Sequence, residues 1–124
     1  MTNQEIFDTV VIHLRNQGEK SQTDEPNQDG DFECLYRLKR GDKILKCAAG
    51  CLIKDEDYKP KFERKNAGWS EMAYCFADMD IKLILRLQNI HDLAEIPDWE
   101  RQFQVAAKDY GLIYSPLTNE KSTV

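Results

Sequence analysis

The chain of 124 residues has the length of one ordinary domain, and a chain of that size buries roughly two-thirds of its unfolded surface, enough for a real core. Its 41% hydrophobic and 31% charged residues exclude collagen-like, low-complexity and wholly disordered chains. The longest run without polar or charged side chains, residues 47–53, falls far short of the roughly 18 needed to span a bilayer, so no membrane partner is expected. The first residues lack the basic and apolar segments of a secretory signal, and the expected compartment is the cytoplasm.

The net charge of −5 is unevenly spread: residues 1–33 carry −6, residues 34–66 carry +5 and residues 67–124 carry −4. The basic middle third is interrupted by Asp42, Asp55, Glu56 and Asp57, which makes a weaker field than a continuous patch. A protein surface is therefore the first expectation for a partner and nucleic acid the second.

Along the chain, Thr2 and Glu5 fit a capping box, and Ile6, Phe7, Val10, Val11 and Leu14 recur at helical spacing before Gly18. Residues 19–31 hold Pro26, Gly30 and several aspartates with no large apolar residue, and read as a mobile acidic loop. From 32 to 38, Phe32, Cys34, Tyr36 and Leu38 alternate as in a strand. Gly41 supplies a reversal, and Ile44, Leu45 and Cys47 a returning strand, giving an antiparallel hairpin over residues 32–48. The small side chains of residues 48–53 predict a close backbone approach, then a buried turn or short helix.

Residues 54–65 are charged and broken by Pro60. Ser70 is a cap for a short helix through Met72, Tyr74, Cys75 and Phe76, and Asp78 or Asp80 for the next. That helix, residues 81–93, places Leu83, Ile84, Leu87 and Ile90 on one face with Ala94. Trp99, Phe103, Ala106, Ala107 and Tyr110 define a last helix between Pro97-Asp98 and Gly111. The expected architecture is one α+β domain over residues 1–114, a hairpin packed against an N-terminal helix and two or three C-terminal helices, with residues 115–124 as a fraying tail.

Four cysteines, Cys34, Cys47, Cys51 and Cys75, include no C-x-x-C pair. A zinc set of Cys34, Cys47 and Cys51 with Cys75 or His91 competes with the reading of all four as small core hydrophobes in a reducing cell, and no disulfide is expected. A cysteine-dependent site would use Cys47 or Cys51 beside the glycine turn, with His91 as base. Asp92 follows His91 directly, and adjacent helical side chains diverge by about 100°, so Asp92 is not expected to orient that ring. His13 is the other histidine. Residues 55–57 lack the donor pattern of a calcium loop, and Gly41 and Gly50 lie outside any phosphate loop. No cofactor is favoured, zinc being the alternative. Trp69, beside Gly68 in a polar stretch, is the expected binding residue, with Tyr36 and Arg37 of the hairpin.

The stretches Cys34-Leu35-Tyr36-Arg37, Lys46-Cys47-Ala48-Ala49-Gly50-Cys51-Leu52-Ile53 with Asp55, Tyr58 and Pro60, and Leu87-Gln88-Asn89-Ile90-His91-Asp92 before Trp99 resemble a pattern of small uncharacterised proteins of tailed bacteriophages and prophages. The resemblance covers most of the chain. It implies a protein made in an infected bacterial cell and implies no reaction. Phage accessory proteins of this size commonly bind and block a host protein, an analogy of context rather than chemistry. The expectation is thus a small cytosolic interaction protein that binds a macromolecular partner and inhibits a host system; the alternative is a cysteine-centred zinc-binding or catalytic domain. An enzyme is the lesser expectation.

Overall fold

The computed structural model describes residues 1–63 and 72–116. Helix α1 (Asn3–Gln17) begins at the expected capping box, where Thr2 Oγ1 accepts from the Glu5 amide and the Glu5 carboxylate accepts from the Thr2 amide. It ends at Gly18, whose left-handed backbone lets its amide reach the Leu14 carbonyl. Ile6, Phe7, Val10, Val11 and Leu14 are its buried face.

Strands β1 (Arg37–Arg40) and β2 (Lys43–Lys46) pair antiparallel from Arg37↔Lys46 to Arg40↔Lys43. Gly41 and Asp42 alone form the turn, and only Gly41 has a positive φ, 62°, the pattern of a glycine-led hairpin turn. The ladder starts later than the alternation from Phe32 predicts, because the residues before it have other partners. The Leu35 amide donates to Ser21 O at 2.8 Å and the Thr23 amide to Glu33 O at 2.9 Å, so residues 33–35 lie along residues 21–23. Between that pairing and the hairpin, the Glu63 carboxylate accepts from both the Tyr36 and Arg37 amides at 3.0 Å. The acidic loop is therefore tied down at its start. Farther along, Asn27 Oδ1 accepts from the Asp29 and Asp31 amides.

Helix α2 (Ala48–Leu52) follows at once, capped by the Cys47 sulfur, which accepts from the Gly50 amide at 3.2 Å. A Cβ on Gly50 would lie 2.1 Å from Tyr36 O, so the expected close approach is real and only glycine fits it. Short 3-10 turns at Pro60–Glu63 and Ala73–Phe76 bury Phe62 and Phe76. Helix α3 (Ile81–Leu93) is capped by Asp80, which accepts from the Lys82 and Leu83 amides. After a 3-10 turn at Ile96–Asp98, helix α4 (Trp99–Tyr110) stops at Gly111. The Ser70 cap lies outside the described residues, as does the tail beyond 116.

The fold is α+β, a two-stranded antiparallel sheet with an N-terminal helix and C-terminal helices. Its core is mostly helical: α1 meets α2 and α3, and α3 meets α4. The hairpin stands at the margin and sends Leu45 inward, while Ile44 on the opposite face is exposed. No helix among the described residues is long and apolar enough to cross a membrane.

Candidate functional site

The helical face of α3 is completed by His91, which is fully buried and stacks on Trp99 with ring centroids 6.0 Å apart. A backbone amide can only donate, and the Ser21 amide lies 2.9 Å from His91 Nε2, so Nε2 is the bare, accepting nitrogen. Nδ1 then carries the proton and donates to Asp92 Oδ1 at 2.6 Å. This corrects the expectation that Asp92 stands too far round the helix to orient His91. Nδ1 is the ring nitrogen nearer the backbone, where a short carboxylate from the next residue can reach it. Gln88, one turn back, holds Asp92 in place with its Nε2 at 3.0 and 3.2 Å from the two carboxylate oxygens. Gln88 Oε1 in turn accepts from the Ala49 amide at 2.8 Å. On the far side, Ser21 Oγ donates to Leu35 O at 2.7 Å. A continuous chain of hydrogen bonds thus runs from the start of α2 through α3 to the segment before the hairpin.

Cys34 joins this chain. Among the described residues, Cys34, His91 and Asp92 are the one group of three or more Cys, His, Asp or Glu side chains whose ligand atoms converge, within 4.8 Å of one another. Its composition suggests a nucleophile with base and orienter, or a metal corner. The hydrogen bonds suit neither. Burial, then the charge of Asp92, pushes the Cys34 thiol up to about 12, whereas a nucleophilic cysteine needs its thiolate stabilised. Zinc needs a thiolate and a bare imidazole nitrogen, and both nitrogens of His91 are engaged: Ser21 occupies one and a proton shared with Asp92 the other. His91 therefore does not fit as a ligand in this arrangement.

The other sequence candidates are placed elsewhere. Cys47 is fully buried as the cap of α2, and Cys51 donates its thiol to Ala48 O at 3.1 Å; burial pushes both thiols up to about 12. Neither shares the convergent group with His91. Cys75 is partly buried in the 3-10 turn at Ala73–Phe76, and no disulfide links any of the four cysteines. Tyr36 and Arg37 are framework: the Arg37 guanidinium lies 4.5 Å over the Tyr58 ring, donates to Ile53 O at 3.0 Å and pairs with Asp55 at 2.9 Å. Trp69 lies outside the described residues. The basic island is crossed by acids, with Arg40 paired to Glu19 and Asp24 and Lys46 to Asp55.

An open cleft of about 650 Å³, which no sequence motif marks, lies between the acidic loop and the C-terminal end of α3. Lys20, Thr23 and Asp24 form one wall, and Leu93, Ile96 and Pro97 the other, with Phe32 and Arg40 also at its surface. Phe32, Leu93 and Ile96 remain 52%, 79% and 39% exposed within a lining that is otherwise mostly polar or charged. A signal was present: Leu93 lies off the face shared by Leu83, Ile84, Leu87 and Ile90, and Phe32 adjoins an acidic stretch with nothing local to bury it.

In comparisons with known proteins the chain matches no family model, no curated protein and no solved structure.

Proposed function

We propose that this protein acts by binding a partner protein through the cleft lined by Phe32, Leu93 and Ile96, and not by catalysis. The observation that carries this reading is the gathering of three exposed apolar side chains on one concave surface. The occupant is a segment presenting an apolar side chain flanked by basic residues. Charge supports that choice modestly: the lining holds Asp24, Asp92 and Glu95 against Lys20 and Arg40, a small acidic excess. The resemblance to proteins of tailed phages and prophages makes a host protein in the infected cell's cytoplasm the expected partner, and inhibition of a host system the consequence. Nucleic acid is disfavoured by the pairing of Arg37, Arg40 and Lys46 with acids.

The test compares wild type with Leu93→Glu, a change on a side chain that buries little. Both proteins are immobilised and exposed to a bacterial lysate, and bound proteins are quantified by mass spectrometry. A partner enriched by wild type and lost with Leu93→Glu, at unchanged melting temperature, supports the cleft. Equal retention by both refutes it.

A further inference from the structure

We propose that residues 19–24 form a strap, latched from below and clamped from above, that opens as a unit and so sets the width of the cleft. This rests on the cleft being the docking surface, since Lys20, Gln22, Thr23 and Asp24 are part of its lining. The strap contains no hydrophobic residue, so among the described residues it is held chiefly by polar contacts. Segments with few buried apolar contacts open at lower free energy than the core they lie on.

The polar contacts that hold it gather at two places, a latch and a clamp. The latch is Ser21, fully buried, whose amide donates to His91 Nε2, whose carbonyl accepts from the Leu35 amide, and whose hydroxyl donates to Leu35 O. The clamp is Arg40. Its Nη1 donates to Glu19 at 2.9 Å and its Nη2 to Gln22 O at 2.6 Å, while Asp24 pairs with it at 2.8 Å. Lys20 adds a longer bond to Asp92 O at 3.4 Å. At one end lies Gly18, in the left-handed region at φ 70°, and at the other the turn built on Asn27. Thr23 also pairs with Glu33, its amide donating to Glu33 O at 2.9 Å and its hydroxyl accepting from the Glu33 amide at 3.0 Å, and Gln17 Nε2 donates to Glu19 O at 2.8 Å. These ties are hydrogen bonds and ion pairs, and the clamp lies where salt and solvent compete with it.

The test is amide hydrogen exchange by NMR on the whole chain, which needs no partner. In wild type the Thr23 and Leu35 amides should exchange at least tenfold faster than those of Leu87 and Phe103, and respond less to low denaturant, the signature of sub-global opening. Arg40→Gln, a surface change that leaves the core intact, should speed Thr23 and Leu35 on the order of five- to tenfold with Leu87 and Phe103 unchanged. Ser21→Ala should do the same from the latch side. With 1-anilinonaphthalene-8-sulfonate as the probe of the cleft, Arg40→Gln should raise dye fluorescence, and adding Leu93→Glu should remove the gain. Strap amides that exchange only together with the core, or a dye gain that survives Leu93→Glu, overturn the strap. The capture experiment above can fail independently, in which case the strap opens but the cleft is not where a partner binds.

Discussion

At the scale of single residues, the positions that matter most are those where a neighbour leaves no room or no free electron pair. Gly50 is the clearest. A methyl group there would meet the Tyr36 carbonyl at 2.1 Å, and because that contact is backbone, no side chain can rotate away. Gly50→Ala is expected to cost roughly 3 kcal/mol, at the upper end of overpacking penalties, read as a lower midpoint in urea with an unchanged slope. The cysteines behave as core residues for a related reason. Burial holds Cys47 and Cys51 as thiols up to about 12, so iodoacetamide at neutral pH should label them more slowly in the folded protein than in the chain unfolded by urea. Labelling faster than a model thiol would reinstate an activated nucleophile. His91 was visible in the sequence, but its role was not. A helical wheel separates it from Asp92, and no local pattern says that Ser21, distant in sequence, will supply the amide that fixes its tautomer.

At the scale of elements, the legible features were those whose cause is local. The Thr2–Glu5 box, Gly18, the Asp80 cap and the face from Trp99 to Ala107 each depend on residues within a few positions, and each stands where the spacing puts it. Asp80→Ala tests how much one such end contributes. It removes the acceptor for two amides and for Asn3 Nδ2 at 3.1 Å, so a loss of about 1 kcal/mol is expected, measured by thermal unfolding; Asp80→Asn should recover most of it. The hairpin shows the limit. Alternation from Phe32 onward is a sound local signal, yet the ladder begins at Arg37, because Ser21 and Glu63 take the preceding backbone groups and neither is near in sequence. The same non-local pairing brings Cys34 beside His91 and Asp92 and leaves Phe32 at the cleft, so the candidate site was far less readable than the helices.

At the scale of the whole molecule, one fold raises all four thiols and the phenols of Tyr36, Tyr58, Tyr74 and Tyr114 above their unfolded values, and this sets its alkaline limit. Cys34, Cys47, Cys51 and Tyr36 are each pushed up to about 12, chiefly by burial, whereas an unfolded cysteine ionises near 8.5 and an unfolded tyrosine near 10. A raised acid binds its proton more tightly in the folded state. Its contribution is complete below the unfolded value and declines as pH climbs through the gap toward the folded one. Stability should therefore hold level from about pH 7 to about pH 8.5 and fall steeply between roughly pH 9 and 12, with the cysteines acting first because their unfolded values are lowest. The check is the urea midpoint against pH under reducing conditions, for wild type and for Cys47→Ala. The variant starts lower at pH 7, having lost a buried side chain, yet its alkaline slope should be shallower, since one of the titrating groups is gone. Parallel curves would mean that Cys47 ionises alike in both states and that its burial carries no electrostatic cost.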